Sequence, residues 1–290
     1  MRISLIQVPY HYGFLQAGRG AGRGPLRYLD AGVEQALRRS GFEVAVQTVQ
    51  RGHDTQEILA AVVTTNTALA AHVASARGAG AFPLVLSGGC SVCLGVLAGL
   101  KSRVGIIWFD AHGDFNTPET TASGFFEGMP LAIATGLCYH ELWSQIANLP
   151  PVPPAQALLV GVRDLDPGER DNLERSKVQV AIAAEIKAAG VAASLQPKLA
   201  QLHSHVDEVY LHFDIDVLDP AIAPGVDYRT PDGLSLREAE EAIQMIAARF
   251  RIQAAALTAY NPDHEENDRT LQAGLRVLHG LVGVIARSRQ

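Results

Sequence analysis

Val104-Gly-Ile-Ile-Trp-Phe109 runs uncharged into Asp110-Ala-His112-Gly-Asp114, and Val209-Tyr-Leu-His-Phe213 runs in the same way into Asp214-Ile-Asp216. Short, β-rich, nearly uncharged runs of this kind read as central strands of a parallel sheet, buried on both faces. Carboxylates that follow such strands emerge at their carboxyl ends, where open α/β sheets bind ligands. Like charges gathered within a few ångströms repel and raise one another's pKa unless cations neutralise them. Either segment alone could be turn or helix-cap chemistry. Together, four aspartates and a histidine on two strand ends ask for a binuclear site for divalent metal.

Outward from these two strands, short apolar runs alternate with helical patterns. Strands are expected at Ile3 to Pro9, Glu43 to Val49, Pro83 to Leu86, Ala157 to Val162, Val178 to Ala181 and Ala254 to Ala259, besides the two metal strands. Helices are expected from Gly24-Pro25 through Ser40, from Thr55 to Arg77, from Val92 to Leu100 and from about Asp268 to Ser288. This order predicts an α/β three-layer sandwich: a mostly parallel central sheet with helices on both faces. Pro150-Pro-Val-Pro-Pro154 reads as a surface connection before a strand.

The 290 residues contain no Ser/Gly-rich or charged linker, so residues 1–290 are expected to form a single domain. Net charge is −6 and the basic residues are scattered, which leaves no footprint for nucleic acid. No apolar stretch reaches bilayer-spanning length and no cleavable signal precedes the first strand, so no membrane partner is expected. Three cysteines, an odd and small number, suit a reducing cytoplasm better than a disulfide framework.

The two aspartate motifs, with what surrounds them, resemble the arginase family of ureohydrolases, whose manganese enzymes cleave guanidino compounds. The likeness extends to Asn116-Thr-Pro118 and Thr120-Thr-Ala-Ser123-Gly124, to Gly161-Val-Arg163-Asp164-Leu-Asp166-Pro-Gly-Glu169, to Asp219-Pro220 and to the glycine-rich Gly18 to Pro25. It implies an arginase/deacetylase-like fold and two Mn2+ ions, bridged by Asp110 and Asp214. Cys90 and Asp114 would complete one metal site, and His112 and Asp216 the other. It also implies a homo-oligomer, since family members commonly form trimers or hexamers.

Departures from the family cluster around this site. Its Gly-Gly-Asp-His-Ser turn is replaced by Ser87-Gly88-Gly89-Cys90-Ser91, which places Cys90 on the histidine ligand; a register one residue later would place Ser91 there. Thiolate is softer than imidazole and suits zinc or iron better than manganese. Cys90-x-x-Cys93 also has the spacing of a redox pair, and a buried, inert Cys90 is a third reading. The family's proton-shuttle histidine falls on Glu127, a substrate-binding asparagine on Phe125, and the acidic residue that pairs with the guanidinium on Ala259. Asp263, Glu265, Glu266 and Asp268 lie close enough in sequence to compensate, although such a cluster also reads as a solvated loop. Asn116 and Ser123 match the positions that bind an α-carboxylate, and Asp166 the one that faces an α-ammonium. The other histidines, His11, His53 and His212 among them, lack ligand spacing; His212 reads as a satisfied core residue.

The resulting expectation is a metal-dependent hydrolase acting on a small guanidino amino-acid substrate and releasing urea or a substituted urea, with Glu127 and Asp114 as catalytic groups. The alternatives are an N-hydroxyarginine-type amidinohydrolase, a zinc or iron hydrolase of the same fold, and a weak or non-catalytic homologue with a binding or regulatory role.

Overall fold

The computed structural model describes residues 1–12, 16–50 and 57–288. Eight strands, β1 (Arg2–Val8), β2 (Glu43–Thr48), β3 (Phe82–Ser87), β4 (Gly105–Phe109), β5 (Ala157–Val160), β6 (Gln179–Ala181), β7 (Glu208–Asp214) and β8 (Arg251–Thr258), form one sheet. Their order is β2-β1-β3-β8-β7-β4-β5-β6, and every pairing is parallel, so the expected mostly parallel sheet is wholly so.

Alternation along each strand supplies both faces with apolar side chains. Ile107, Phe109, Leu211 and Phe213 pack on one side with the helices Val33–Arg39, Val191–His203, Leu236–Arg249 and Arg269–Ser288. Ile106, Trp108 and Tyr210 pack on the other with the helices Ile58–Gly78 and Val92–Leu100. The fold is thus the expected three-layer α/β sandwich.

The helix expected through Ser40 is two, Gly24–Asp30 and Val33–Arg39, because Gly32 adopts φ 84° between them, a left-handed conformation that only glycine takes cheaply. The helix expected from Thr55 begins at Ile58; Thr55 itself, like His53, lies outside the described residues. Contrary to the expectation that no apolar stretch reaches bilayer length, Ile58–Gly78 is long and apolar enough to cross a membrane. In the fold it is a packing element: Ala61, Val62, Leu69 and Val73 are buried, and Asn66 accepts a hydrogen bond from the backbone of Gly95 at 2.8 Å. The last strand starts at Arg251, earlier than expected, and ends at Thr258, leaving Ala259 beyond it at φ 65°. The proline cluster is an irregular connection that enters β5 through the short 3-10 turn Pro154–Gln156.

Candidate metal centre and substrate cavity

Strands β3, β8, β7 and β4 are consecutive neighbours in the sheet, so the segments leaving their carboxyl ends converge on one place. Phe109 pairs with Phe213 in the β4–β7 ladder, which brings Asp110 and Asp214, one residue on, to matching positions. Asp110 is held from below: the Trp108 indole donates to its Oδ2 at 3.0 Å, and the His112 backbone donates to Oδ1 at 2.7 Å. Asp216 accepts from the Ala111 backbone at 3.0 Å, and its own backbone N–H donates to Asp214 Oδ1 at 2.9 Å. His112 Nδ1 lies 3.3 Å from Asp110 Oδ1 and 3.1 Å from Asp216 Oδ2.

Two compact groups able to hold a metal ion result, Cys90–Asp110–Asp214 and Asp110–His112–Asp216, with Asp110 common to both. The Cys90 thiol donates to Asp214 Oδ2 at 2.9 Å, whereas Ser91 turns away to Glu127; the geometry follows the register that puts Cys90 among the carboxylates. Cys93 does not pair with it. Both are free and buried, and the Cys93 thiol faces the Pro130 carbonyl at 3.8 Å. Asp114 lines the same cavity from a left-handed turn at φ 48°, but belongs to neither compact group among the described residues.

The charge balance shows whether metal fits. Burial, and then repulsion by Asp216, raises Asp110 to about 6 and pushes Asp214 well above the usual carboxylate range. Burial, and then Asp110, does the same to Asp114. Burial lowers His112, but Asp216 and Asp110 outweigh it and hold the imidazole well above its ordinary value. One histidine cannot neutralise four buried aspartates, and the donor set is the kind that divalent cations take. Burial, and then Asp214, raises the Cys90 thiol, which must lose its proton to serve as a ligand.

Behind the carboxylates runs a buried polar chain. His212 stacks on Trp108 with ring centroids 3.6 Å apart, meets the Tyr210 hydroxyl at 2.7 Å, and lies 3.3 Å from Thr258 Oγ1. Thr258 in turn donates to Asp214 Oδ2 at 3.3 Å. Burial depresses His212 to about 3, so it is a neutral, satisfied core residue, as its place along the strand predicts.

A cavity of about 270 Å³ opens above the metal groups. Asn116, Ser123 and Asp166 all line it, and Asn116 Nδ2 donates to Asp166 Oδ2 at 3.1 Å. Glu127 lines it too, but its carboxylate accepts from the Ser91 backbone at 2.7 Å and the Ser91 hydroxyl at 2.9 Å. Burial raises its pKa. Gly89 lies close under this carboxylate: a Cβ there would sit 2.3 Å from Glu127 Oε1, so the Glu127 side chain would have to move. The acidic run after β8 faces elsewhere: Asp263 pairs with Arg23, Asp268 with Arg27, Glu266 with Arg229 and Arg269, and Glu265 accepts from the Thr270 and Leu271 backbones.

His11, Glu169, Asp227 and Tyr228 also line the cavity, although nothing in their spacing to the metal motifs marks them as site residues. Glu169 carried a signal, as the acidic residue closing the Asp166-Pro-Gly-Glu169 segment. It is buried, accepts from the Phe115 backbone at 2.8 Å, and is raised by burial to about 7.

A parallel three-layer fold with this carboxylate cluster at the carboxyl ends of its central strands is the arrangement of a metal-dependent hydrolase. The Arginase family model matches residues 1–283. The arginase of Bacillus caldovelox is 34% identical over 294 residues, covering 97% of this chain and 98% of that protein. The arginase of Brevibacillus brevis is 33% identical and covers 97% of each. The crystal structure of arginase from Bacillus cereus aligns with a TM-score of 0.88 at 34% identity, covering 98% of this chain and 99% of that one. The chain belongs to the arginase family.

Proposed function

We propose that this chain hydrolyses the guanidino-type side chain of a small amino acid, releasing urea or a substituted urea, with two manganese ions as its resident metals. Cys90, Asp110 and Asp214 would hold one ion, and Asp110, His112 and Asp216 the other, with Asp114 completing the coordination. Two divalent ions held there would supply a nucleophile at neutral pH, because a bound water would have a lowered pKa. The protein's own groups bind, orient and move protons. Asp166, braced by Asn116, faces the α-ammonium, and Asn116 and Ser123 offer donors to the α-carboxylate. Glu127, raised by burial, would pass a proton to the departing nitrogen. We place the enzyme in the cytoplasm as a homo-oligomeric single domain without membrane or nucleic-acid partners, in keeping with its free, buried cysteines.

The observation that carries this reading is that the braced Asn116–Asp166 pair and both candidate metal groups face one cavity. The clamp of Ser91 on Glu127 favours a second reading, a homologue that binds its ligand but turns it over weakly. Metal analysis of protein purified without chelator, with urea release across a panel of guanidino acids, separates the two. Two equivalents of metal and turnover of at least one guanidino amino acid, with agmatine poor, are expected. Turnover of agmatine above every guanidino amino acid overturns the substrate class, and absent turnover with retained binding favours the second reading. Asp166→Ala is expected to lower kcat/KM by about ten- to a hundredfold, the worth of a buried charge-assisted contact.

A further inference from the structure

The cavity carries an acidic residue, Asp227, that belongs to neither candidate metal group. Ala259 lines the wall and offers no functional group. Asp227, in the segment after β7, lines the same cavity, with its side chain 27% exposed. Its Oδ1 accepts from Asn261 Nδ2 and lies 3.2 Å from His264 Nε2, and its Oδ2 lies 3.8 Å from His11 Nε2. Asn261 is only two residues beyond Ala259, and its backbone N–H donates to the Gly225 carbonyl at 2.8 Å. The side chain and the backbone of Asn261 therefore both hold the Asp227 segment against the residues that follow β8, and Asp227 and Ala259 line one cavity.

The neighbours of Asp227 suit a cation. Phe125 lies 5.9 Å from Tyr228 and 5.8 Å from His11, and Tyr228 lies 6.1 Å from His112, each measured between ring centroids. Aromatic faces beside a carboxylate attract a planar cation through their quadrupoles as well as through its charge. Histidines aside, the charged residues lining the cavity are all acidic, with no lysine or arginine among the described residues. The carboxylates after β8 that lie near in sequence are bound to arginines or backbone outside the cavity, which leaves Asp227 as the acidic group on this wall.

We propose that Asp227, flanked by Phe125 and Tyr228, is the specificity-determining carboxylate for the cationic amidine or guanidine end of the substrate. This assignment rests on the hydrolase reading above and names the residue that selects charge at that end of the same cavity.

Lysine and norleucine test it, because neither carries a bond this enzyme would cleave and they differ at the chain end by ammonium against methyl. On manganese-loaded protein, titration calorimetry should show lysine binding at least about tenfold tighter, as a charge-assisted contact gives. Asp227→Asn keeps the oxygen that accepts from Asn261; it should cut the preference to about threefold or less while norleucine affinity and manganese content stay unchanged. Asp227→Ser, a second uncharged variant, should give the same loss and serves if the first folds poorly. A parent without preference, or variants that keep it in full, overturns the assignment. Urea release measured in parallel keeps the two readings apart. Lost preference in Asp227→Asn with no urea from the parent supports the Asp227 assignment and sinks only the hydrolase reading; urea release with an unchanged preference does the reverse.

Discussion

Cys90 stands in one of the two candidate metal groups. Its thiol donates to Asp214 and sits 3.4 Å from the Thr258 hydroxyl, so loading a metal there means removing a proton that burial and Asp214 hold in place. Cys90→His supplies a neutral nitrogen donor instead, and is expected to tighten manganese binding and raise the manganese-to-zinc preference, measured by competition dialysis with metal analysis. Equal manganese affinity in parent and variant removes Cys90 from the ligand set. The aspartates and His112 were legible in the sequence because they lie in the short segments that leave two strand ends, and strand ends in such a sheet converge; Cys90 was legible only through the resemblance to the family's turn. His11, Asp227 and Tyr228 were not, because they sit on connections whose course depends on packing against other segments. Asp227 reaches the cavity only through Asn261 and His264, a tie that no local pattern announces.

Among the elements, the turn from β3 into the helix Val92–Leu100 is the tightest joint of the site. A Cβ on Gly88 would lie 2.5 Å from the Gly22 backbone, so the glycine-rich N-terminal loop is seated directly on this turn, while Gly89 lies against Glu127. Gly89→Ala must displace the Glu127 carboxylate and loosen its hold on Ser91. The expected cost is about 1–3 kcal/mol of stability by chemical denaturation, the usual penalty of overpacking, with a loss of metal at the Cys90 group seen by metal analysis. Unchanged stability and metal content would mean that the turn can shift freely. A second brace, Arg163, donates to the Asp216 carbonyl at 2.7 Å and the Thr230 carbonyl at 2.8 Å, fixing the segment after β7 from outside the cavity. At this scale the sequence located all eight strands, since uncharged β-branched runs have few other uses. It misjudged the helix through Ser40, where apolar periodicity continues across Gly32 and only the backbone reverses hand.

For the molecule as a whole, metal and stability are linked through protons. Asp110, at about 6 from burial and Asp216, and Glu169, at about 7 from burial, lie above the roughly 3.9 and 4.3 of an unfolded chain. Without metal these carboxylates, with Asp114 and Asp214, which are raised too, bind more protons in the folded state, and they outnumber His212, which burial keeps neutral down to about 3. The stability this confers is whole below about pH 4 and is lost as the pH rises through about 6 and then about 7. Metal requires the deprotonated carboxylates, so its stabilisation grows over the same interval. The Tm of chelator-treated protein is expected to fall between about pH 5 and pH 7.5, and its gap below manganese-loaded protein to widen; a gap that narrows as pH rises contradicts the linkage. The strand order carries a further consequence, for the history of each molecule. Because β4 precedes β7 in the chain yet pairs with it in the sheet, Asp110 and His112 are synthesised long before Asp214 and Asp216 exist. A nascent chain emerging from the ribosome can display Asp110 and His112 yet offer no complete docking place for an ion until β7 arrives and closes the ladder. Both candidate metal groups need a residue that follows or ends β7, so an ion that fills them would be captured late in assembly.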